Sequence, residues 1–244
     1  MAANPMHQFQ VYRIGPEIKL GNIDLSFTNA SLFMLISALT ICLFLYFGSK
    51  QKRIVPGRIQ LVAEIFYNFI AKMISDTAGS KAKPYFSFIF SLFMFVLFCN
   101  MFGMIPYSFT VTSHIIVTFV LAAFIFIGVT IIGFIKHGVG FFKIFVPSGV
   151  PVVLLPLIVV IEIISYLSRP ISLSVRLFAN MMAGHTMMKV FGGFVVSLGI
   201  VGGWLPLSFS VALTGLEILV AFLQAYVFAI LTCIYLNDAL NLHH

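Results

Sequence analysis

Charge is what this sequence has least of. Acidic residues number seven in 244 and basic residues fourteen, so charged side chains make up 9% of the chain. A water-soluble domain carries about 25%. With 61% hydrophobic residues and a mean hydropathy of +1.10, the shortage excludes an ordinary soluble domain. It points instead to a protein that crosses a membrane several times and leaves little outside it. Cysteine is also sparse: Cys42, Cys99 and Cys233 each stand alone in an apolar run. No CxxC redox pair or thiolate metal site can be built from them, and they read as lipid-buried thiols. No internal repeat or low-complexity tract is visible, which argues against transporter folds made of inverted repeats. No cleavable signal peptide is expected, because the first thirty residues are mostly polar and include Pro5, Glu17 and Asp24.

The net charge of +7 is unevenly placed, with seven of the fourteen Lys and Arg between Lys50 and Lys83. In a chain with no soluble part to present it, this cluster is a topology signal and not a nucleic-acid surface. Residues 30–47, 85–105 and 115–135 are uncharged and long enough to cross a hydrocarbon core of about 30 Å. Between the first two, residues 57–76 place Ile59, Val62, Phe66, Phe69, Ile70 and Met73 at helical spacing, with Gln60, Glu64, Asn68 and Lys72 repeating every four. This predicts an amphipathic helix along the membrane surface. Lys50, Lys52, Arg53 and Arg58, then Lys136 and Lys143, mark one side as cytoplasmic, while 104–114 carries no Lys or Arg. The N-terminal segment, 1–29, is thus expected outside and the C-terminus inside.

Two further apolar stretches, 151–190 and 206–236, are too long to stand upright. At about 1.5 Å per residue they would reach roughly 60 and 46 Å, so they must tilt or break. Between them, the Gly-rich 192–204 reads as a turn. A rival reading makes SRPISLSVR, residues 168–176, a short cytoplasmic loop with Arg169 and Arg176 as ordinary positive-inside residues. Pro170 favours that loop; the lack of Gly, Asn or Asp opposes it.

Treated as a helix with about 100° per residue, the first stretch gathers Glu162, Arg169 and Asn180 within about 40° of Arg176, beside a strip of small residues that includes Ser165, Ser172, Ala179 and Ala183. Small residues let another membrane helix come close. On the second stretch Glu217 and Tyr235 share a face with Gln224. Folding the two about residue 200 brings three pairs level: His185 with Glu217 near the outside, Arg176 with Gln224 in the middle, and Glu162 with Tyr235 near the cytoplasm. His185 lies about 180° from Arg176 on a straight helix, so its approach to Glu217 needs tilt, an irregularity or a bridging water. Taken singly, each group has a plainer use: Glu217 as a hydrogen-bonded buried acid, His185 as a satisfied core histidine, Tyr235 in an interfacial belt, Glu162 as the ion-pair partner of Arg169, Asn180 as a helix–helix hydrogen bond. Their matched depths favour function as a set. His185 and Glu217 can take up and release protons, whereas Arg176 cannot. A fixed cation between two titratable stations suits a barrier between half-channels, with a carboxylate on a moving partner carrying the proton past it.

SLSVRLFANMMAGH (172–185), LTGLEILVAFLQAYVFAILTCIYLNDALNL (213–242) and CNMFGMIPYSFTVTSH (99–114) resemble the a subunit family of F-type ATP synthases over nearly the whole chain. The start, NPMHQFQV, is similar to alphaproteobacterial and plant mitochondrial members. The resemblance implies that Arg176 is the essential cation facing a ring of c subunits, with Asn180 and Gln224 close by. It implies an outer half-channel at His185 and Glu217 and, less firmly, an inner one at Glu162 and Tyr235 with Arg169. In many bacterial relatives the acid and the histidine sit on the opposite helices; this chain has the mitochondrial-like arrangement. The resemblance further implies that 151–190 and 206–236 form a steeply tilted hairpin, which disfavours the loop reading. The expected protein is an all-α membrane protein, with about five embedded helices and one surface helix. It catalyses nothing alone, needs no cofactor or metal, and works with the c ring, b-type peripheral stalk subunits and protons. It would lie in a bacterial inner membrane or, alternatively, the mitochondrial one. A proton-coupled transporter would instead need a substrate cavity and a repeat, and a purely structural anchor would tolerate loss of Arg176.

Overall fold

In hydrocarbon a backbone must satisfy its own hydrogen bonds, which leaves helices as the economical way to cross. The computed structural model obeys this. It describes residues 9–15, 19–20, 23–24, 26–50, 56–105, 108–146 and 154–241. Most of the NPMHQFQV likeness, Lys52, Arg53 and the start of the 151–190 stretch lie outside the described residues. Among the described residues six α-helices occur: α1 Asn29–Lys50, α2 Arg58–Ala78, α3 Phe86–Gly103, α4 Ile115–His137, α5 Leu155–Gly202 and α6 Trp204–Leu240. Short 3-10 turns cover Ser80–Tyr85, Val111–Ser113 and Gly138–Phe145. The only strands among the described residues are a two-residue pair, β1 Lys19–Leu20 and β2 Ile23–Asp24, antiparallel ahead of α1. The chain is an all-α membrane protein, and among the described residues five helical segments are long and apolar enough to span.

Hydroxyls inside the spans rarely need outside partners. Ser37, Thr40, Thr130, Thr186, Ser210, Thr214 and Thr232 each donate to the carbonyl four residues back in their own helix, a bond that removes the cost of a dry polar group. At the start of α1, the Thr28 Oγ1 accepts from the Ser31 backbone N–H at 3.4 Å, capping the first turn. α2 is amphipathic as its periodicity predicts. Ile70, Met73 and Ile74 are buried, while Gln60 donates to Glu64 one turn on at 2.8 Å on the exposed face.

The core is centred on α3 and α6. Ala221, Ala225, Ala229 and Cys233 of α6 are fully buried at intervals of four, and this narrow strip lets Phe93, Met94 and neighbouring side chains pack closely against it. Phe69 of α2 meets Tyr226 of α6 with ring centroids 5.5 Å apart, and Tyr166 of α5 shares a 2.6 Å hydrogen bond with Thr130 of α4. α5 packs on α4 and α6, leaving its other side open.

The last two helices meet inside the Gly-rich 192–204, as expected, but the turn is a single residue. Gly199 alone is non-helical (φ 63°, ψ −161°), a conformation that suits a residue without a Cβ, and Gly203 is helical at φ −70°, ψ −17°. The loop reading of 168–176 is excluded, since α5 runs unbroken through Pro170. Span Leu155–Gly199 has 45 residues and α6 has 37, or about 68 and 55 Å of helix. Both exceed a bilayer core of about 30 Å and must lie obliquely.

Candidate functional site

Three polar groupings lie along the α5–α6 hairpin. The first is farthest from the Lys-rich end. His185 of α5 and Glu217 of α6 face each other with Nδ1 and Oε1 3.1 Å apart, their side chains only 5% and 6% exposed. The separation is that of a hydrogen bond, but neither carboxylate oxygen has an aligned donor, so the contact is a close approach and not a formed bond. The aligned bond of His185 goes elsewhere, from Nε2 to Thr110 Oγ1 at 3.0 Å. Gly184 makes the approach possible. A Cβ there would stand 2.7 Å from Glu217 Oε1, closer than any side chain tolerates. The half-turn offset between His185 and Arg176 is thereby explained. His185 is buried toward α6 whereas Arg176 is exposed, and the two use opposite faces of one helix.

In the second grouping Asn180 donates to Gln224 Oε1 at 2.8 Å across the hairpin. Gln224 is 4% exposed, and its Nε2 has no protein partner. Nearby on α3, buried Asn100 donates to the Ala221 carbonyl at 3.2 Å and leaves its Oδ1 unpartnered. Arg176, one turn from Asn180, projects outward. Among the described residues no carboxylate lies within ion-pair distance of it.

The third grouping is at the Lys-rich end. Arg169 pairs with Asp238 at 3.0 Å, and its guanidinium lies between two rings, 5.3 Å from Tyr166 and 5.0 Å from Tyr235. A planar cation between aromatic faces is favourable. Lys81 donates to Asn241 at 2.6 Å, tying the end of α6 to the turn ahead of α3.

These groupings can be set beside known proteins. A family model described as ATP synthase A chain matches residues 31–237. The chain is 83% identical to ATP synthase subunit a of Pelagibacter ubique (strain HTCC1062), with all of both chains covered. It is 61% identical to ATP synthase subunit a of Rhizobium rhizogenes (strain K84 / ATCC BAA-868), covering 99% of this chain and 98% of the relative. It is 58% identical to ATP synthase subunit a of Chelativorans sp. (strain BNC1), both covered fully. The chain belongs to the ATP synthase A chain family.

As a member of that family it is a multi-pass inner-membrane subunit and part of the stator in the membrane sector of an ATP synthase. Within this a subunit the structure brings together His185 with Glu217 and Asn180 with Gln224. It does not bring Arg176 onto Gln224, whose acceptor is taken by Asn180. Nor does it pair Glu162 with Tyr235 or with Arg169. Tyr235 stacks on Arg169, Arg169 pairs with Asp238, and half-buried Glu162 has no ion-pair partner among the described residues. Tyr235 and Asp238 lie one turn apart on α6 and both meet Arg169, which leaves Glu162, two turns before Arg169 on α5, paired with neither. Thr110, Asn100, Gly184 and Asp238 were missed by sequence reasoning. Asp238 carried a signal, as one of seven acidic residues; Thr110 carried none. Among the described residues no group of three His, Cys, Asp or Glu is placed as metal ligands would be.

Proposed function

We propose that this a subunit supplies two proton half-channels to a rotating ring of c subunits and that Arg176 keeps them apart. Protons from outside reach His185 and Glu217 and load a carboxylate on a ring helix. The loaded carboxylate is neutral and turns through lipid for almost a full revolution. As it comes round to Arg176 its charged form is favoured, and the proton leaves toward the cytoplasm past Glu162, Tyr235 and Arg169. Arg176 cannot give up its own proton, so ions cannot leak straight from one half-channel to the other. The subunit makes no ATP itself; it turns ion flow into rotation, held in place by b-type stalk subunits.

The observation that carries this reading is an exposed guanidinium on a spanning helix without a carboxylate partner among the described residues. Such a charge is costly in lipid and calls for an acidic group on a neighbouring subunit. Succession of unpartnered buried polar atoms adds support. Thr112 Oγ1 and His114 Nε2, then both Glu217 oxygens, Asn100 Oδ1 and Gln224 Nε2 have no protein partner. Each can bond a water, and Glu217, Asn100 and Gln224 gather at successive turns of α6, Asn100 through its bond to the Ala221 carbonyl. The Lys-rich end, with Lys50, Arg58, Lys81, Lys83 and Lys136, would be cytoplasmic with the C-terminus, and the N-terminus periplasmic.

The test is Arg176→Ala in the complete ATP synthase, reconstituted in vesicles. Proton-driven ATP synthesis should be lost while passive proton leak through the membrane sector rises. Unchanged synthesis would remove the mechanism. A cysteine at Ala179 or Ala183 should crosslink to one on a ring helix.

A further inference from the structure

The outer pair has a third member that its proposed role does not use. Thr110 precedes the Val111–Ser113 turn and is 4% exposed. Its Oγ1 lies 3.0 Å from His185 Nε2 and 3.4 Å from the Gly103 carbonyl. The side chain has little room to turn. Its Cγ2 lies 2.7 Å from where a Cβ on Gly103 would be, and Ser113 Oγ donates to the Thr110 carbonyl at 2.6 Å. A hydroxyl has one proton and two lone pairs. The Gly103 carbonyl can only accept, whereas His185 Nε2 can donate or accept, so the one arrangement that satisfies both contacts puts the Thr110 proton on the carbonyl. What remains toward His185 is a lone pair, and that lone pair calls for N–H on Nε2. Nδ1, 3.1 Å from Glu217 Oε1 and in no aligned bond, is then left bare.

We propose that Thr110 is a positioning residue that holds His185 in the Nε2–H tautomer, so that Nδ1 alone takes up and hands on the transported proton. This rests on the reading of His185 and Glu217 as the outer half-channel. The step balances. Neutral His185 accepts a proton from hydronium at Nδ1, leaving water, and becomes an imidazolium, with Nε2–H still on Thr110. The Nδ1 proton then passes to the Glu217 carboxylate, leaving a neutral carboxyl and the starting tautomer. Without the hydroxyl, the proton of neutral His185 can settle on Nδ1. That nitrogen then has no lone pair for an incoming proton, and the relay stalls. The other titratable groups around the ring are Glu217 from α6, Lys189 one turn along α5, and His114 at the head of α4; the Val111–Ser113 turn adds none.

The experiment uses the intact ATP synthase in vesicles and varies the pH on the proton-supplying side at fixed pH on the other. Thr110→Val, nearly isosteric, should slow proton-driven synthesis about tenfold, the scale of one lost hydrogen bond at a buried group, and move the supply-side pH profile toward lower pH because the imidazolium loses its acceptor. Thr110→Ser should keep both rate and profile. Nitrogen-15 spectra of His185 should show the Nε2–H tautomer in the parent and in Thr110→Ser, and a mixture in Thr110→Val. Thr110→Ala gives the same readouts if the valine variant does not assemble. An unmoved pH profile together with an unchanged tautomer in the hydroxyl-free variant overturns the inference. If His185→Ala and Glu217→Gln abolish synthesis in that same series, only the role of Thr110 falls; if they too are silent, the half-channel reading falls with it.

Discussion

Asn180 reaches across the hairpin to Gln224, one turn along α5 from Arg176, so the helix face that carries the unpaired cation is anchored to α6 by an amide–amide bond of 2.8 Å. The bond leaves Gln224 Nε2 unpartnered and Arg176 free to project outward. The anchor orients the cation and does not neutralise it.

Breaking that anchor from one side should cost more than removing it whole. Asn180→Leu leaves a buried amide on Gln224 without its donor, a loss of about 1 kcal/mol, with membrane hydrogen bonds often at the lower end of the range. The double variant Asn180→Leu/Gln224→Leu should be less destabilised than the sum of the singles. A double-mutant cycle by thermal unfolding in detergent checks this; simple additivity would show that the two amides are not coupled.

Gly184 should tolerate no side chain. In Gly184→Ala the new Cβ meets Glu217 Oε1 at 2.7 Å and must push the carboxyl away from His185. Proton-driven synthesis should fall by about tenfold or more, as expected when a reacting group is displaced by about an ångström. Shortening the acid with Glu217→Asp in the same chain should recover part of the rate. No recovery would mean that the clash is relieved elsewhere.

The Arg169–Asp238 pair should matter little for stability. With side chains 25% and 35% exposed, the pair is screened and contributes at most about 1 kcal/mol. Asp238→Asn is expected to lower the unfolding temperature by only a few degrees. Replacing both partners, Arg169→Gln/Asp238→Asn, should cost no more than the single change. A collapse of the fold in Asp238→Asn would show that the ring-flanked cation depends on its counter-charge more than its exposure implies.

His114 sets an acid limit for the outer loop. It lies ahead of α4, stacked on Phe109 with ring centroids 4.9 Å apart, and burial pushes its imidazole below the ordinary histidine value. The unfolded segment therefore binds more protons than the folded one as pH falls through about 6.5, and local stability present at neutral pH is lost on that descent. Protection factors for hydrogen exchange at residues 108–114, which correct for the intrinsic pH dependence, should fall between pH 7 and 5 in the parent and change less in His114→Phe. Equal pH dependence in both would assign the sensitivity to another group.

Much of this was legible in the residues, and what was not has a traceable cause. The spans, the amphipathic α2 and the facing of His185 and Glu217 follow from periodicity and from the scarcity of charge. The turn was legible to within the Gly-rich 192–204, but its size was not: Gly192, Gly193 and Gly202 have no water to bond with in the membrane and stay helical, and Gly199 alone breaks. The partners at the far end were not legible, because hairpin arithmetic gives depth and not which side chain faces which; Arg169 meets Tyr235 and Asp238, and Glu162 pairs with neither. Thr110 was unreadable for a different reason. A hydroxyl in a short turn has no periodic neighbour, and only the docking of that turn against α5 gives it a partner.

A rod has one angular coordinate. Because α5 runs through Pro170 without interruption and presents His185 and Arg176 on opposite flanks, any roll that moves the guanidinium also swings the imidazole. In the proposed cycle the delivery point and the checkpoint are thus keyed to one shaft, and neither can be re-aimed without moving the other.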